Sequence, residues 1–247
     1  MTYLIYRALQ AVISSAVRDQ LLAENLSNRS RVASMTTTSR TLPMAVIRRA
    51  IEEFQLPSYD DQVLQIQQYI KLLLAWNVKV NLTAIRDPLE ILYRHFCESM
   101  FAGISVPIER GRLADAGTGS GFPGLALKIL RPGLQVFLIE SSIKKATFLA
   151  EVIRELGLKD AQVLVRRYEE LGEELPPLDY VCARALGEFP TFLNWARSDL
   201  LAAKQVVLWI GANDQPEIQD IPGWEWREPI LVPNSLRRLL LIGTKKP

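Results

Sequence analysis

A glycine-rich turn between an apolar strand and a helix is the feature that most constrains the fold of this chain. The turn reads Asp-Ala-Gly-Thr-Gly-Ser-Gly-Phe-Pro-Gly over residues 115–124. A strand-like segment (111–115) precedes it, and a helix-like run (125–130) follows it. Glycines are costly to order, so four of them within eight residues indicate a function. A turn of this kind lets backbone N–H groups approach a ligand that a Cβ atom would keep away.

Two cofactors suit this turn. Gly119-x-Gly121-x-x-Gly124 satisfies the dinucleotide fingerprint, in which a pyrophosphate lies on the helix N-terminus. The wider pattern Asp115-x-Gly117-x-Gly119-x-Gly121 resembles the first motif of S-adenosylmethionine-dependent methyltransferases. In that motif the turn cradles the methionine part of the cofactor, and a nearby acid suits its ammonium group. The turn alone does not choose between the two cofactors.

Strand and helix patterns alternate from Arg112 onward, which predicts a largely parallel, seven-stranded sheet with helices on both faces. The predicted strands end at or near 115, 139, 165, 183, 210, 227 and 242. Ligands of such sheets bind beyond the carboxyl ends of the strands. We therefore expect one rim to carry Asp115 to Gly121, Glu140, Tyr168-Glu169 and Arg184.

Glu140 directly follows the second predicted strand, 19 residues after Gly121. A carboxylate at this position can accept hydrogen bonds from both ribose hydroxyls of NAD or of S-adenosylmethionine. Glu140 therefore supports a nucleoside-containing cofactor, and it leaves both candidates open.

Two further stretches precede the predicted sheet domain, which spans 106–247. Residues 44–105 carry apolar residues at helical spacing and predict a helical cap, with one helix starting at Asp87-Pro88. Residues 1–43 contain a possible amphipathic helix over 4–22 and end in a polar tract. A signal peptide fits them poorly and a transit peptide is compositionally possible. We expect a dispensable, poorly packed extension, with Met35 or Met44 as later starts.

Composition excludes several classes of protein. The net charge of the 247 residues is +2, so any affinity for nucleic acid must come from local patches. No apolar run reaches the roughly 18–20 residues that cross a membrane. Two separated cysteines and one histidine make a zinc site or a disulfide framework unfavourable. We expect a cytoplasmic, metal-free monomer.

Several sequence elements in a fixed order carry a resemblance to a known family. They are Trp76-Asn77 with Asn81-Leu-Thr83, Arg94-His95-Phe-Cys-Glu-Ser99, the glycine turn, Ile139-Glu-Ser141 with Lys145 and Phe148-Leu149, and Ala183-Arg-Ala185. From about residue 45 onward the chain resembles the RsmG (GidB) family, which methylates N7 of a guanine in bacterial small-subunit (16S) ribosomal RNA. The resemblance implies a Rossmann-like class I fold, S-adenosylmethionine as cofactor, and this RNA or the small ribosomal subunit as partner.

The resemblance also implies site residues. Those on the cofactor side are Asp115, Gly117, Gly119, Phe122, Glu140, Tyr168, Glu169 and Arg184. Those expected to contact RNA are Asn81, Arg94, His95 and Lys145. The chain departs from the family where Trp209-Ile210-Gly211 replaces Leu-Lys-Gly, so that a lysine expected near the substrate is missing. It also departs at Ser120, often proline in the family, and at Phe122, often leucine.

The chemistry of guanine N7 bears on catalysis. This nitrogen has an in-plane lone pair and no proton at neutral pH, so we assign no residue as a general base. His95 or Arg184 is expected to position guanine through its O6 atom. Three alternatives stay open: an NAD-dependent oxidoreductase, a non-catalytic RNA-binding module, and a methyltransferase with another acceptor.

Overall fold

The structure is a computed structural model that describes residues 41–57, 59–106, 108–201 and 203–247. Its α-helices are α1 (Met44–Glu53), α2 (Asp60–Asn77), α3 (Pro88–Ile91), α4 (Glu98–Ser105), α5 (Gly124–Leu130), α6 (Ile143–Glu155), α7 (Phe189–Arg197) and α8 (Gln215–Gln219). A π-helical segment (Leu92–Cys97) joins α3 to α4, and a 3₁₀ turn covers Tyr168–Glu170.

A single mixed sheet follows the helical N-terminal part. Its strands are β1 (Gly111–Ala116), β2 (Leu134–Ile139), β3 (Ala161–Leu164), β4 (Tyr180–Arg184), β5 (Gln205–Gly211), β6 (Trp224–Trp226), β7 (Ile230–Leu231) and β8 (Arg238–Lys245). The spatial order is β3-β2-β1-β4-β5-β8-β6, and β7 pairs with β8. The first five strands are parallel, whereas β8 runs antiparallel to β5 and β6. The carboxyl ends of β1, β2, β4 and β5 therefore share one edge.

Both faces of the sheet are buried, which explains the nearly continuous apolar character of its central strands. Along β5, Val207 and Trp209 belong to one hydrophobic cluster, and Val206 and Leu208 belong to the other. The first cluster contains apolar residues of α1 to α6, and the second contains those of α7 and α8. Helices thus cover both faces, as the alternating pattern predicts.

Polar side chains of α2 dock the cap onto the sheet domain. Gln62 Nε2 donates to the carbonyl oxygens of Ile129 (2.9 Å) and Leu130 (3.2 Å) at the end of α5. Gln65 Nε2 donates to the carbonyl of Leu156, directly after α6. The last carbonyls of a helix have no partner within it. The cap therefore satisfies groups that the sheet domain leaves unpaired.

The sequence-based boundaries agree with the structure to within a few residues, with three differences. The short helix α8 has no predicted counterpart. The short strand β7 was not predicted, because two residues carry no detectable periodicity. The helix predicted from Asp87-Pro88 starts as expected, with Asp87 Oδ1 accepting from the Glu90 N–H at 2.7 Å. It then widens into the π-helical segment before α4, a feature that apolar spacing does not reveal.

Most of the predicted extension, with its helix over 4–22 and the start at Met35, lies outside the described residues. Within the described part of the chain, no helix is both long and apolar enough to cross a membrane. The same part contains no group of three or more His, Cys, Asp or Glu side chains arranged to hold a metal ion.

Candidate functional site

The glycine turn uses backbone conformations that favour glycine. Gly117, Gly119 and Gly121 have φ values of +65°, +60° and +91°. Within the described part of the chain, a Cβ atom on Gly119 would find no atom nearer than 3.9 Å, so the space beside this glycine is open. A Cβ on Gly121 would instead collide with the Tyr69 hydroxyl and approach Leu125. Gly119 thus leaves room for a ligand, and Gly121 leaves room for the cap.

Asp115 stabilises the turn from the protein interior. Its side chain is fully buried, and its Oδ2 atom accepts hydrogen bonds from Thr118 Oγ1 (2.6 Å) and the Gly124 N–H (2.7 Å). Burial raises the pKa of Asp115 to about 7, against the opposing effect of these hydrogen bonds. The carboxyl group therefore connects β1 to the start of α5, and it faces the protein interior.

Glu140 connects the end of β2 to the same turn. Its Oε2 atom accepts from the Gly119 N–H at 3.0 Å, and its Oε1 atom accepts from the Ser142 N–H at 2.8 Å. A carboxylate has lone pairs for further donors in addition to these two. The structure thus places an oriented acceptor directly beside the open space at Gly119.

Phe122 links the turn to the cap through its ring. It lies nearly parallel to Tyr69, with ring centroids 5.3 Å apart, and to His95, with centroids 4.9 Å apart. Phe96 meets it edge-on at 4.9 Å. Tyr69 also donates its hydroxyl proton to the Ser120 carbonyl oxygen at 2.6 Å. The cap and the turn are therefore packed directly against each other.

His95 is held in its neutral form. Burial, the largest cause, together with the charges of Arg184 and Arg94, lowers its pKa to about 3. Its Nε2 atom lies 2.9 Å from Thr83 Oγ1 in the loop after α2. At neutral pH the imidazole is an uncharged aromatic group next to the turn.

Arg184, at the end of β4, shares a buried carboxylate with a second arginine. Its Nη2 atom lies 3.4 Å from Glu98 Oε2, and its Nη1 atom donates to Ser99 Oγ at 3.1 Å. Arg238 Nη2 lies 2.7 Å from Glu98 Oε1. The side chain of Glu98 is only 3% exposed, so the two arginines compensate a charge that water does not reach.

A cleft of about 490 Å³ opens beside this group, beyond the carboxyl ends of β4 and β5. Its charged lining residues are Arg94, Glu98, Arg184, Asp214, Glu217 and Arg238. Apolar walls come from Leu186, Phe189, Trp209 and Ile210. A cavity with apolar walls and a few polar groups is suited to a flat organic ligand.

Comparison with known proteins identifies the family of the chain. Residues 62–222, more than half of the chain, match the GidB family, described as rRNA small subunit methyltransferase G. The chain belongs to this family. It is 40% identical to a Ribosomal RNA small subunit methyltransferase G from Stenotrophomonas maltophilia (strain K279a) over 183 residues, 73% of this chain and 85% of that protein. A protein of the same name from Xylella fastidiosa is 38% identical, over 74% of this chain and 87% of its own length.

Solved structures support the fold expected of a ribosomal RNA small subunit methyltransferase G family member. A SAM-dependent methyltransferase from Aquifex aeolicus has a TM-score of 0.52 at 17% identity, covering 65% of this chain and 94% of its own. A ribosomal protein L11 methylase from Lactobacillus delbrueckii has a TM-score of 0.51 at 18% identity, covering 63% and 80%. The class I methyltransferase fold is confirmed. The antiparallel β8 beside β5 departs from the 3-2-1-4-5-6 order of dinucleotide-binding domains, and the oxidoreductase alternative is not favoured.

The structure brings several of the predicted residues together and leaves others apart. The turn, Glu140 and His95 are connected through hydrogen bonds and ring contacts, and Arg94 and Arg184 line the adjacent cleft. By contrast, Tyr168 is buried against Phe192 and Trp195 on the other face of the sheet, so only Glu169 of this pair is exposed. Asn81 is exposed on the loop after α2, and Lys145 is half-buried on α6.

Two residues of the site have no role predicted from the sequence: Tyr69 and Glu98. A signal for Glu98 existed, because it follows Arg94 by four residues and so lies on the same side of a helix. Glu98 is the carboxylate that pairs with Arg184. No local pattern connects these two residues, which are 86 positions apart.

Proposed function

We propose that this protein transfers the methyl group of S-adenosylmethionine to N7 of a guanine in small-subunit (16S) ribosomal RNA. The observation that carries the proposal is the pairing of the Gly119 N–H with the Glu140 carboxylate, immediately beside open space. Membership of the rRNA small subunit methyltransferase G family supplies the acceptor class. Assignment of individual side chains to cofactor and RNA is part of the proposal.

The residues at the turn fit S-adenosylmethionine. The backbone of Gly117 and Gly119 can approach the methionine part, since a Cβ on Gly117 would meet only the Leu186 side chain. Glu140, at the end of β2, would accept hydrogen bonds from ribose hydroxyls, and the exposed Glu169 lies in the loop expected at the adenine. Asp115 would act indirectly, by fixing the turn, because its carboxyl group is buried. When bound, the cofactor supplies an electrophilic methyl group on a sulfonium.

The chain's own contribution is to orient the acceptor and exclude water. Guanine N7 needs no deprotonation, and the neutral state of the half-buried His95 is consistent with a site that has no general base. Arg184 is proposed to donate a hydrogen bond to guanine O6 from the cleft beside the turn. Orientation of this kind can contribute about 7–11 kcal/mol at best to lowering a barrier.

RNA contacts are proposed for the exposed edge of the cap and for α6. Asn81, Arg94, His95 and Lys145 would face the RNA around the target nucleotide. A guanine N7 in an A-form duplex faces a narrow major groove, so the target is expected to lie in a loop or to be splayed from its helix. The enzyme is further proposed to act in the cytoplasm as a monomer, and light scattering at the monomer mass of 27.9 kDa would test its oligomeric state.

The experiment is methyl transfer from radiolabelled S-adenosylmethionine to small ribosomal subunits from a strain that lacks its own enzyme of this family. Borohydride reduction and aniline cleavage then locate any 7-methylguanine. Label in the small-subunit RNA with one strong cleavage is expected. Binding of S-adenosylhomocysteine without any transfer would remove the ribosomal acceptor from the proposal, and stabilisation by NAD alone would remove the cofactor as well.

A further inference from the structure

The cleft beside Arg184 has two kinds of charged lining that come from different elements. Arginines are contributed by the π-helical segment, by the end of β4 and by the start of β8. Two carboxylates, Asp214 and Glu217, come from the segment that follows β5. Glu98, the remaining carboxylate, is engaged with Arg184 and Arg238. Among the residues that the structure describes, Asp214 and Glu217 are thus the acids of the lining that make no ion pair.

Asp214 is held in place by the backbone. Its Oδ2 atom accepts a hydrogen bond from the Gly211 N–H at 3.2 Å, which folds the chain back at the end of β5. Glu217 lies in the first turn of α8 and is exposed at the cleft. Both carboxylates therefore have oxygen lone pairs available to a donor that enters the cleft.

The strand order determines which groups lie on each side of the site. Neighbouring strands run in the order β2, β1, β4, β5, and all four are parallel. Glu140 and the glycine turn lie at the ends of β2 and β1, Arg184 lies at the end of β4, and the two free carboxylates follow β5. A ligand in the cleft thus has the cofactor turn on one side and the carboxylates on the other.

The hydrogen-bonding groups of a guanine base match this arrangement of the turn and the carboxylates. Its N7 and O6 atoms are acceptors along one edge. Its N1–H and 2-amino groups are donors on the side away from N7. Resting on the function proposed above, we propose that Asp214 and Glu217 accept hydrogen bonds from these donors once N7 points toward the turn. Adenine has no amino group at C2 and an acceptor at N1, so it would place a lone pair against a carboxylate. The pair therefore selects guanine.

The test removes one donor from the base and one acceptor from the protein. Small-subunit RNA is assembled by ligation with inosine, which lacks the 2-amino group, in place of the target guanosine, and is reconstituted into subunits. We measure kcat/KM on guanosine and inosine subunits for the wild type, Glu217→Gln and Asp214→Asn. Asp220→Asn is the matched control, because Asp220 is an exposed acid just after α8 and outside the cleft lining.

The wild type and Asp220→Asn should prefer guanosine by about ten- to hundredfold, the range for one hydrogen bond to a charged group. At least one of the two cleft variants should lower this ratio to about threefold or less, chiefly by slowing transfer to guanosine, with unchanged affinity for S-adenosylhomocysteine. Equal use of both bases by the wild type would overturn the inference. So would variants that slow both substrates equally, since a structural role alone would do that. Failure of the wild type on unmodified subunits would instead reject the proposed function.

Discussion

At the scale of single residues, the site depends on side chains whose charge state is set by burial. His95 is the one histidine of the chain, and it is held neutral between Thr83 and Phe122. Glu98 is a buried acid that balances two arginines. The ionisation of each side chain differs from that of the same group in water, and a testable prediction follows for each.

We expect His95 to stay unprotonated from pH 8 to below pH 5, because its folded pKa is about 3. The unfolded chain takes up a proton near pH 6.5 that the folded chain does not, so the free energy of unfolding falls as the pH drops from about 6.5 towards 3. The imidazole NMR signals report this directly, since only one histidine contributes to them. Titration of the folded protein near 6.5, as in a urea-unfolded sample, would contradict the expectation.

Glu98→Ala should lower the free energy of unfolding by about 3–5 kcal/mol, because it leaves Arg184 and Arg238 partly buried without their shared carboxylate. Urea denaturation measures the change. Glu90→Ala is the matched control: its ion pair with Arg94 is exposed, and removing it should cost less than about 1 kcal/mol. Similar losses in the two variants would show that the buried charges are not coupled to stability.

Arg184→Ala should reduce single-turnover methyl transfer by more than about tenfold, since it removes a charged hydrogen-bond donor from the cleft. The affinity for S-adenosylhomocysteine should change far less, because Glu140 and the glycine turn remain. Thermal denaturation of the same sample separates this effect from loss of folding. Transfer near the wild-type rate would exclude Arg184 from positioning the acceptor.

At the scale of elements, different glycines of the turn after β1 serve different purposes. The open side at Gly119 serves the cofactor, while Gly121 packs against Tyr69 of α2. The ring of Phe122 reinforces this second contact through Tyr69 and His95. Docking of the cap and shaping of the turn are thus properties of the same few residues.

Gly121→Ala should destabilise the protein by more than Gly157→Ala does. Both glycines have positive φ, +91° and +62°, so alanine is strained at either position. Of these two, Gly121 lacks room, because an added Cβ collides with Tyr69, whereas no described residue comes within 4 Å of a Cβ at Gly157. The control should cost about 1–2 kcal/mol in urea denaturation. Equal costs would mean that α2 shifts away without penalty.

Elements were predictable from sequence where the pattern is local. The second strand ends at the predicted residue 139, because a strand that is buried on both faces requires a nearly continuous apolar run, here interrupted by the exposed Gln135. Helix α2 is predicted because apolar residues recur at helical spacing within its own segment. The pairing of Arg184 and Arg238 with Glu98 joins elements that are distant in sequence and could not be obtained this way. The buried packing of Tyr168 likewise arises from α7, a separate element.

At the scale of the whole molecule, the cap and one face of the sheet share a continuous hydrophobic cluster. The cluster begins at Leu42, which is buried, and whose carbonyl oxygen accepts from Gln67 Nε2 at 2.6 Å. Residues just before α1 therefore belong to the packed structure. This observation refines where a shortened chain can begin.

A chain starting at Met35 should retain full methyl transfer, whereas one starting at Met44 should be less stable. The shorter chain lacks Leu42, and burying a leucine side chain contributes about 1.5–3 kcal/mol. Thermal denaturation compares the two chains, and transfer to small subunits tests their activity. Loss of activity in the Met35 chain would show that the first 34 residues are required, contrary to the proposed dispensable extension.

Sharing one carboxylate between two arginines has an evolutionary consequence. A lineage that replaces Arg184 or Arg238 alone leaves Glu98 undercompensated, and one that replaces Glu98 alone leaves two unpaired cations. A single substitution among Glu98, Arg184 and Arg238 should therefore destabilise the protein, whereas joint substitutions at all three positions should not. Among related sequences these three positions should vary together. A homologue in which one of the three residues is replaced should also have replacements at the other two.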